Sequence, residues 1–256
     1  YQYRATVVGS DVGEGRMSVI VDPENPQLYV ESMWRHVLDP LRTAVGTAAD
    51  ERAELAAEER AFEAFIRRLR PLEPITVGVD QRVPTSAIQR RTDAVRDAYR
   101  ETVIDVDHYD AVYGEPLLEN AAAELGADAA TVLGPDSGSV FTPQAKQLLI
   151  NSAELCLEER RSFDRTLEAE VESLDAALGP LTTLVESLDG TLVPAWYRET
   201  FESELADILT ERQQYLHSGT GTRDTHDLCG YLYGREPWQY PVLTGVTRLQ
   251  NVTAQA

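Results

Sequence analysis

The sequence predicts an all-α protein: an antiparallel bundle of three long helices with shorter helices around it and a small β-hairpin appended at the N-terminus. Three observations predict it. Between Gln144 and Leu178 there is no Gly or Pro, and Leu149, Cys156 and Phe163 repeat every seven residues before Leu167, Val171, Leu174 and Leu178 follow at four, three and four. Leu41, Ala48, Leu55, Phe62 and Leu69 recur every seven along 40–70. Phe201, Leu205, Ile208, Arg212 and Tyr215 step by four, three, four and three along 194–217. Each pattern keeps one stripe of a helix apolar, and stripes of this width need partner helices.

Taken in order, residues 1–26 form the expected hairpin appendage and 27–256 the helical domain. YQYRATVV and RMSVIV flank the Gly-rich turn GSDVGEG, and β-branched and aromatic residues around such a turn favour paired strands. Residues 27–38 read as a short amphipathic helix. Asp39-Pro40 then reads as an N-cap and first-turn pair that opens a new helix. In that helix Val45, Arg52, Glu59 and Ile66 interleave the apolar series, and the two charges make it a poor two-stranded seam. Pro71 and Pro74 end it.

Residues 86–104 read as a helix, 105–114 as a polar loop, and LLENAAAEL and 127–133 as short helices. Thr142 is a good N-cap for the central helix and Pro143 suits its first turn. Gly179-Pro180 is the expected stop, with Gly in a left-handed cap and a proline that has no N–H to donate. LTTLVESL beyond it could continue the helix direction with a kink or turn back, and Asp189-Gly190 ends it. Pro194, Asp224 or Thr225, and Pro241 begin the last three helices.

The chain has 256 residues, 43 acidic and 23 basic, for a formal net charge of −20. Lys146 is the one lysine. Acid excess with lysine almost absent predicts adaptation to high salt, where like-charge pairs such as Glu154/Glu158 and Glu168/Glu172 are screened. The same charge argues against nucleic acid and anionic membrane as partners. No apolar run reaches the ~18 residues of a membrane span. Cys156 and Cys229 define no disulfide framework and read as reduced thiols, which implies an intracellular, cytoplasmic protein. The chain opens on Tyr1 rather than Met, which leaves room for residues before it.

Four strings stand out together: EERAFEAF (58–65), VRDAYRETVIDVDHYDAVYGEPLLENAAAELG (95–126), FTPQAKQLLINSAE (141–154) and HDLCGYLYGREPWQYPVL (226–243). As a set they resemble an uncharacterised family of haloarchaeal helical proteins, a domain of unknown function, over about residues 50–249. The resemblance implies a salt-loving archaeal source. It supplies no activity, so no site residue is carried over from it.

Candidate sites are few. Asp105, Asp107, His108, Asp110 and Glu115 place carboxylates at alternate positions of a loop, a pattern that can wrap a hard cation, although an EF-hand's Gly and terminal Glu are missing. His226 and Cys229 lie one turn apart and, with His217 and Cys156, could supply four zinc ligands. The alternative places Cys229 in the core. Trp238 and Tyr240, beside Pro237 and Pro241, could form a partner-binding surface or cover one end of the bundle. No phosphate-binding loop, dinucleotide fingerprint or nucleophile elbow occurs, and no cofactor is expected. The function these residues predict is a non-enzymatic scaffold or protein-interaction domain, partnered by itself or another protein. The alternative is a ligand- or metal-responsive sensor built on loop 105–115.

Overall fold

The structure, a computed structural model, describes residues 26–76, 84–134, 140–188, 193, 196–218 and 222–254. Within them every regular element is helical: α1 (Pro26–Met33), a π-helical turn (Trp34–Leu38), α2 (Asp39–Leu69), α3 (Thr85–Arg100), α4 (Tyr109–Val112), α5 (Leu117–Glu124), α6 (Ala127–Leu133), α7 (Pro143–Ser187), α8 (Arg198–Ser218), α9 (Thr222–Tyr233) and α10 (Pro241–Ala254). The hairpin expected over 1–26 lies outside the described residues, except that Pro26 already begins α1.

Two proline signals mean something other than a helix boundary. Asp39 does not cap a new helix: it has helical φ and ψ of −66° and −44°, and its N–H bonds to the Trp34 carbonyl. That i→i+5 bond belongs to the π turn immediately before Pro40. A helical proline deprives the carbonyl four residues back of a donor and crowds it. Here that carbonyl is His36's, inside the π turn, where wider winding accommodates the ring. Helical winding thus runs unbroken from α1 into α2. Likewise α7 does not stop at Gly179-Pro180 but continues to Ser187 with Pro180 inside it. Gly179 is not among the glycines with positive φ, so the expected left-handed cap is absent. The physical reason lies just beyond. Leu181, Leu184 and Val185 are completely buried. Each fully buried side chain of this size contributes ~1.5–3 kcal/mol, enough together to offset the ~3 kcal/mol cost of a helical proline.

Other boundaries follow the sequence closely. Thr142 Oγ1 accepts from the Ala145 amide at 3.1 Å, the expected N-cap bond of α7. Leu149, Cys156 and Phe163 are all buried, as are Leu41, Ala48, Leu55, Phe62 and Leu69 of α2.

The described residues fall into two compact units, one within Glu51–Arg165 and the other of those up to Asp50 together with those from Thr166 onward. In the first, Phe62, Phe65, Leu69, Val95, Tyr99, Leu133, Phe141, Leu149 and Cys156 make the core. Phe65 and Tyr99 meet edge to face at 5.1 Å. Lys146, the one lysine, donates to the carbonyls of Arg70 and Leu72 and so satisfies acceptors just past the end of α2. The charges that interrupt the apolar series of α2 are paired: Arg52 Nε donates to Asp164 at 2.7 Å, and Arg161 reaches both Glu59 and Glu63.

In the second unit Met33, Val37, Leu38, Leu41, Leu174, Leu181, Phe201, Leu205, Tyr233, Val246 and Leu249 are among the core residues. Gly245 of α10 lies so close to the π turn that a Cβ there would sit 2.8 Å from Val37 Cγ1. That approach leaves no room for a side chain at 245.

Candidate functional site

Four charged side chains are buried among the described residues: Glu58 (5% exposed), Arg160 (2%), Glu170 (0%) and Arg212 (4%). They form two separate clusters, one in each unit.

In the first unit α2 supplies Glu58 and α7 supplies Arg160. Arg160 Nε donates to Glu58 Oε2 at 2.6 Å, and its Nη2 donates to Glu124 Oε2 of α5 at 2.8 Å. Its guanidinium lies 4.5 Å from the centre of the Phe62 ring. The other oxygen of Glu58 is held by the loop after α3: His108 Nε2 lies 3.0 Å away, and the Tyr113 hydroxyl donates at 2.7 Å. Tyr109 is buried beside them, its hydroxyl donating to the Glu115 carbonyl. The Tyr99 hydroxyl donates to Asn120 Oδ1 at 2.7 Å. Glu58, Phe62, Tyr109, Asn120, Glu124 and Arg160 are among the walls of a cavity of about 10 Å³, roughly enough for one water molecule.

Burial alone would raise the Glu58 carboxyl. The Arg160 charge and the hydrogen bonds from His108, Tyr113 and Arg160 outweigh it and hold the group below its ordinary value. Cys156 donates through Sγ to the Glu124 carbonyl. Burial, and then the nearby Glu124 carboxylate, push its thiol up to about 12.

In the second unit Arg212 of α8 faces Glu170 of α7 through two bonds, Nη2 to Oε1 at 2.8 Å and Nη1 to Oε2 at 3.1 Å. Nη1 also reaches Ser173 Oγ at 2.8 Å. Cys229 Sγ lies 3.9 Å from Nη2, and burial together with the Glu170 charge pushes that thiol up to about 11. Thiols shifted upward in this way stay protonated at neutral pH and are poor nucleophiles.

The residues marked by the sequence are distributed as follows. Of the loop cluster, His108 turns inward to Glu58, Asp105, Asp107 and Asp110 are exposed, and Glu115 is half-buried. Among the described residues no three His, Cys, Asp or Glu side chains are grouped to hold a metal ion. Cys229 is buried in α9, whereas the side chain of His226 lies outside the described part of the structure. Trp238 is half-buried, edge-on to His36 at 5.6 Å and 5.2 Å from the Arg248 guanidinium. Tyr240 packs partly buried on the core of its unit.

Sequence reading missed Glu58, Glu124, Arg160 and Glu170. One signal was available for the second cluster, because Arg212 falls within an otherwise apolar stripe. A cation at such a position must find a buried acid.

The model of one family, described as Domain of unknown function (DUF7260), matches residues 39–256. The chain belongs to this family. The match takes in both buried clusters and all of α2 through α10. No curated protein and no solved structure matches the chain. Among the described residues no helix is long and apolar enough to cross a membrane.

Proposed function

We propose that this chain is a non-enzymatic scaffold or protein-interaction domain of a salt-adapted archaeal cytoplasm, its long helices arranged as an antiparallel bundle. The observation that carries the reading is on α7. Leu148 and Leu155 lie seven residues apart and remain 37% and 67% exposed beside the buried Leu149 and Cys156. Leucines at that spacing share one face of a helix and offer a narrow apolar seam to another helix. The buried charges fit the same reading, because Glu58, Glu124, Arg160, Glu170 and Arg212 are engaged in holding helices to one another. The salt adaptation is supported by the charge of −20 and the single lysine, and the archaeal source by the family resemblance.

Light scattering in molar KCl, with co-purification at native salt, tests this reading. Wild type is expected to self-associate or to retain a protein partner that Leu148→Asp with Leu155→Asp releases. A strict monomer that retains no partner would contradict it.

A further inference from the structure

The second unit contains an open groove of about 320 Å³ between α7 and α8, lined by Ala169, Glu172, Ser173, Ala176 and Ala177 on one side and Ile208, Glu211, Arg212 and Tyr215 on the other. Its size is at the lower end of small-molecule pockets. Buried Ala177 and Ile208 give it an apolar floor, while Glu172 and Glu211 are exposed, one on each wall. Neither carboxylate has an ion-pair partner among the described residues. Arg212 is the one cation in the lining, and Glu170 already meets its charge through two bonds. The groove therefore carries two uncompensated negative charges over an apolar base.

We propose that this groove binds a small amphiphilic organic cation, an aliphatic amine whose tail lies on Ala177 and Ile208 and whose ammonium sits at Glu172 and Glu211. The chemistry selects this class. An anion would meet two carboxylates. A bare metal ion would leave the apolar floor unused, and a neutral alkyl compound would leave both carboxylates unpaired. At molar salt the Debye length is ~3 Å, so only direct contact between charges survives, and burial of the tail must supply part of the affinity. This site is independent of the interaction reading above, which rests on an earlier stretch of α7 that belongs to the other compact unit.

Calorimetric titration of the whole chain in molar KCl tests it, with n-hexylamine as the probe and n-hexanol and hexanoate as controls. One amine is expected to bind per chain, with n-hexanol at least tenfold weaker and hexanoate silent. Glu172→Gln with Glu211→Gln should weaken the amine at least tenfold. Ala176→Trp, at an exposed wall position, should block it by filling the groove. Circular dichroism checks that both variants fold. No amine binding, equal binding of amine and alcohol, or amine binding unchanged in both variants would overturn the proposal. None of these outcomes bears on whether the chain associates through Leu148 and Leu155.

Discussion

Among the described residues each compact unit buries one arginine deep between helices, and the two arginines are held in different ways. Arg160 is shared between Glu58 and Glu124, and Glu58 is in turn gripped by His108 and Tyr113. Arg212 depends chiefly on a single acid, Glu170, which is completely buried. The first arrangement is redundant: any one donor can leave and the carboxylate retains others. The second is a single ion pair in which each partner is the other's principal source of charge, with the neutral hydroxyls of Ser173 on Arg212 and of Tyr215 on Glu170. Taking two ions out of water costs several kcal/mol per ion, and only good geometry recovers it, so the pair with one charge on each side is the more brittle.

The largest effect is therefore expected at Arg212. Arg212→Ala leaves Glu170 completely buried with the Tyr215 hydrogen bond but no charged partner, and urea unfolding at high salt should register a loss of ~3–5 kcal/mol. Arg160→Ala should cost less, about 2 kcal/mol, because His108 and Tyr113 still donate to Glu58. If the two losses are equal, the redundancy of the first cluster does no energetic work.

The third prediction concerns acid. The folded-state pKa of Glu58 lies below its ordinary value near 4.5, so its stabilisation is fully present above that value. It is lost as pH falls through the lower, folded-state value. Wild type and Glu58→Gln should consequently differ most near neutral pH and converge as thermal melts are taken down from pH 5. A gap that widens toward acid would contradict the direction of the shift.

The smallest effect is on the thiols. With Cys156 and Cys229 pushed up to about 12 and about 11, a thiol-reactive dye at pH 8 should label neither until the protein is unfolded. Rapid labelling of the native protein would remove the basis for treating both as core residues.

The contrast between the clusters also marks what the sequence made legible. Spacing alone located the stripes of α2 and α7, and Thr142 announced the start of α7, because caps and periodicity are local. Pro40 and Pro180 misled for the same reason. A proline is a local stop signal, and the burial that overrides it at Leu181, Leu184 and Val185 is tertiary. Trp34 to Leu38 carries no mark of a π turn, since the wider winding answers to the following Pro40 and to packing. His108 was visible as a functional-type residue, but its partner Glu58 lies 50 positions upstream. No spacing rule joins residues across helices. Arg212 came nearer to being legible, being a cation in an apolar stripe, yet nothing in the chain's order named Glu170 as its partner.

The most direct test of the claim that these buried charges serve structure is a comparison of unfolding free energies for Arg212→Ala and for the double variant Glu170→Met with Arg212→Leu, in molar KCl. Removing both charges eliminates the desolvation cost that removing one leaves behind. The double variant should therefore recover most of the stability lost by Arg212→Ala while keeping the helical content and association state of wild type. A double variant no more stable than the single one, or one that folds but loses association, would show that the pair does more than hold α7 to α8.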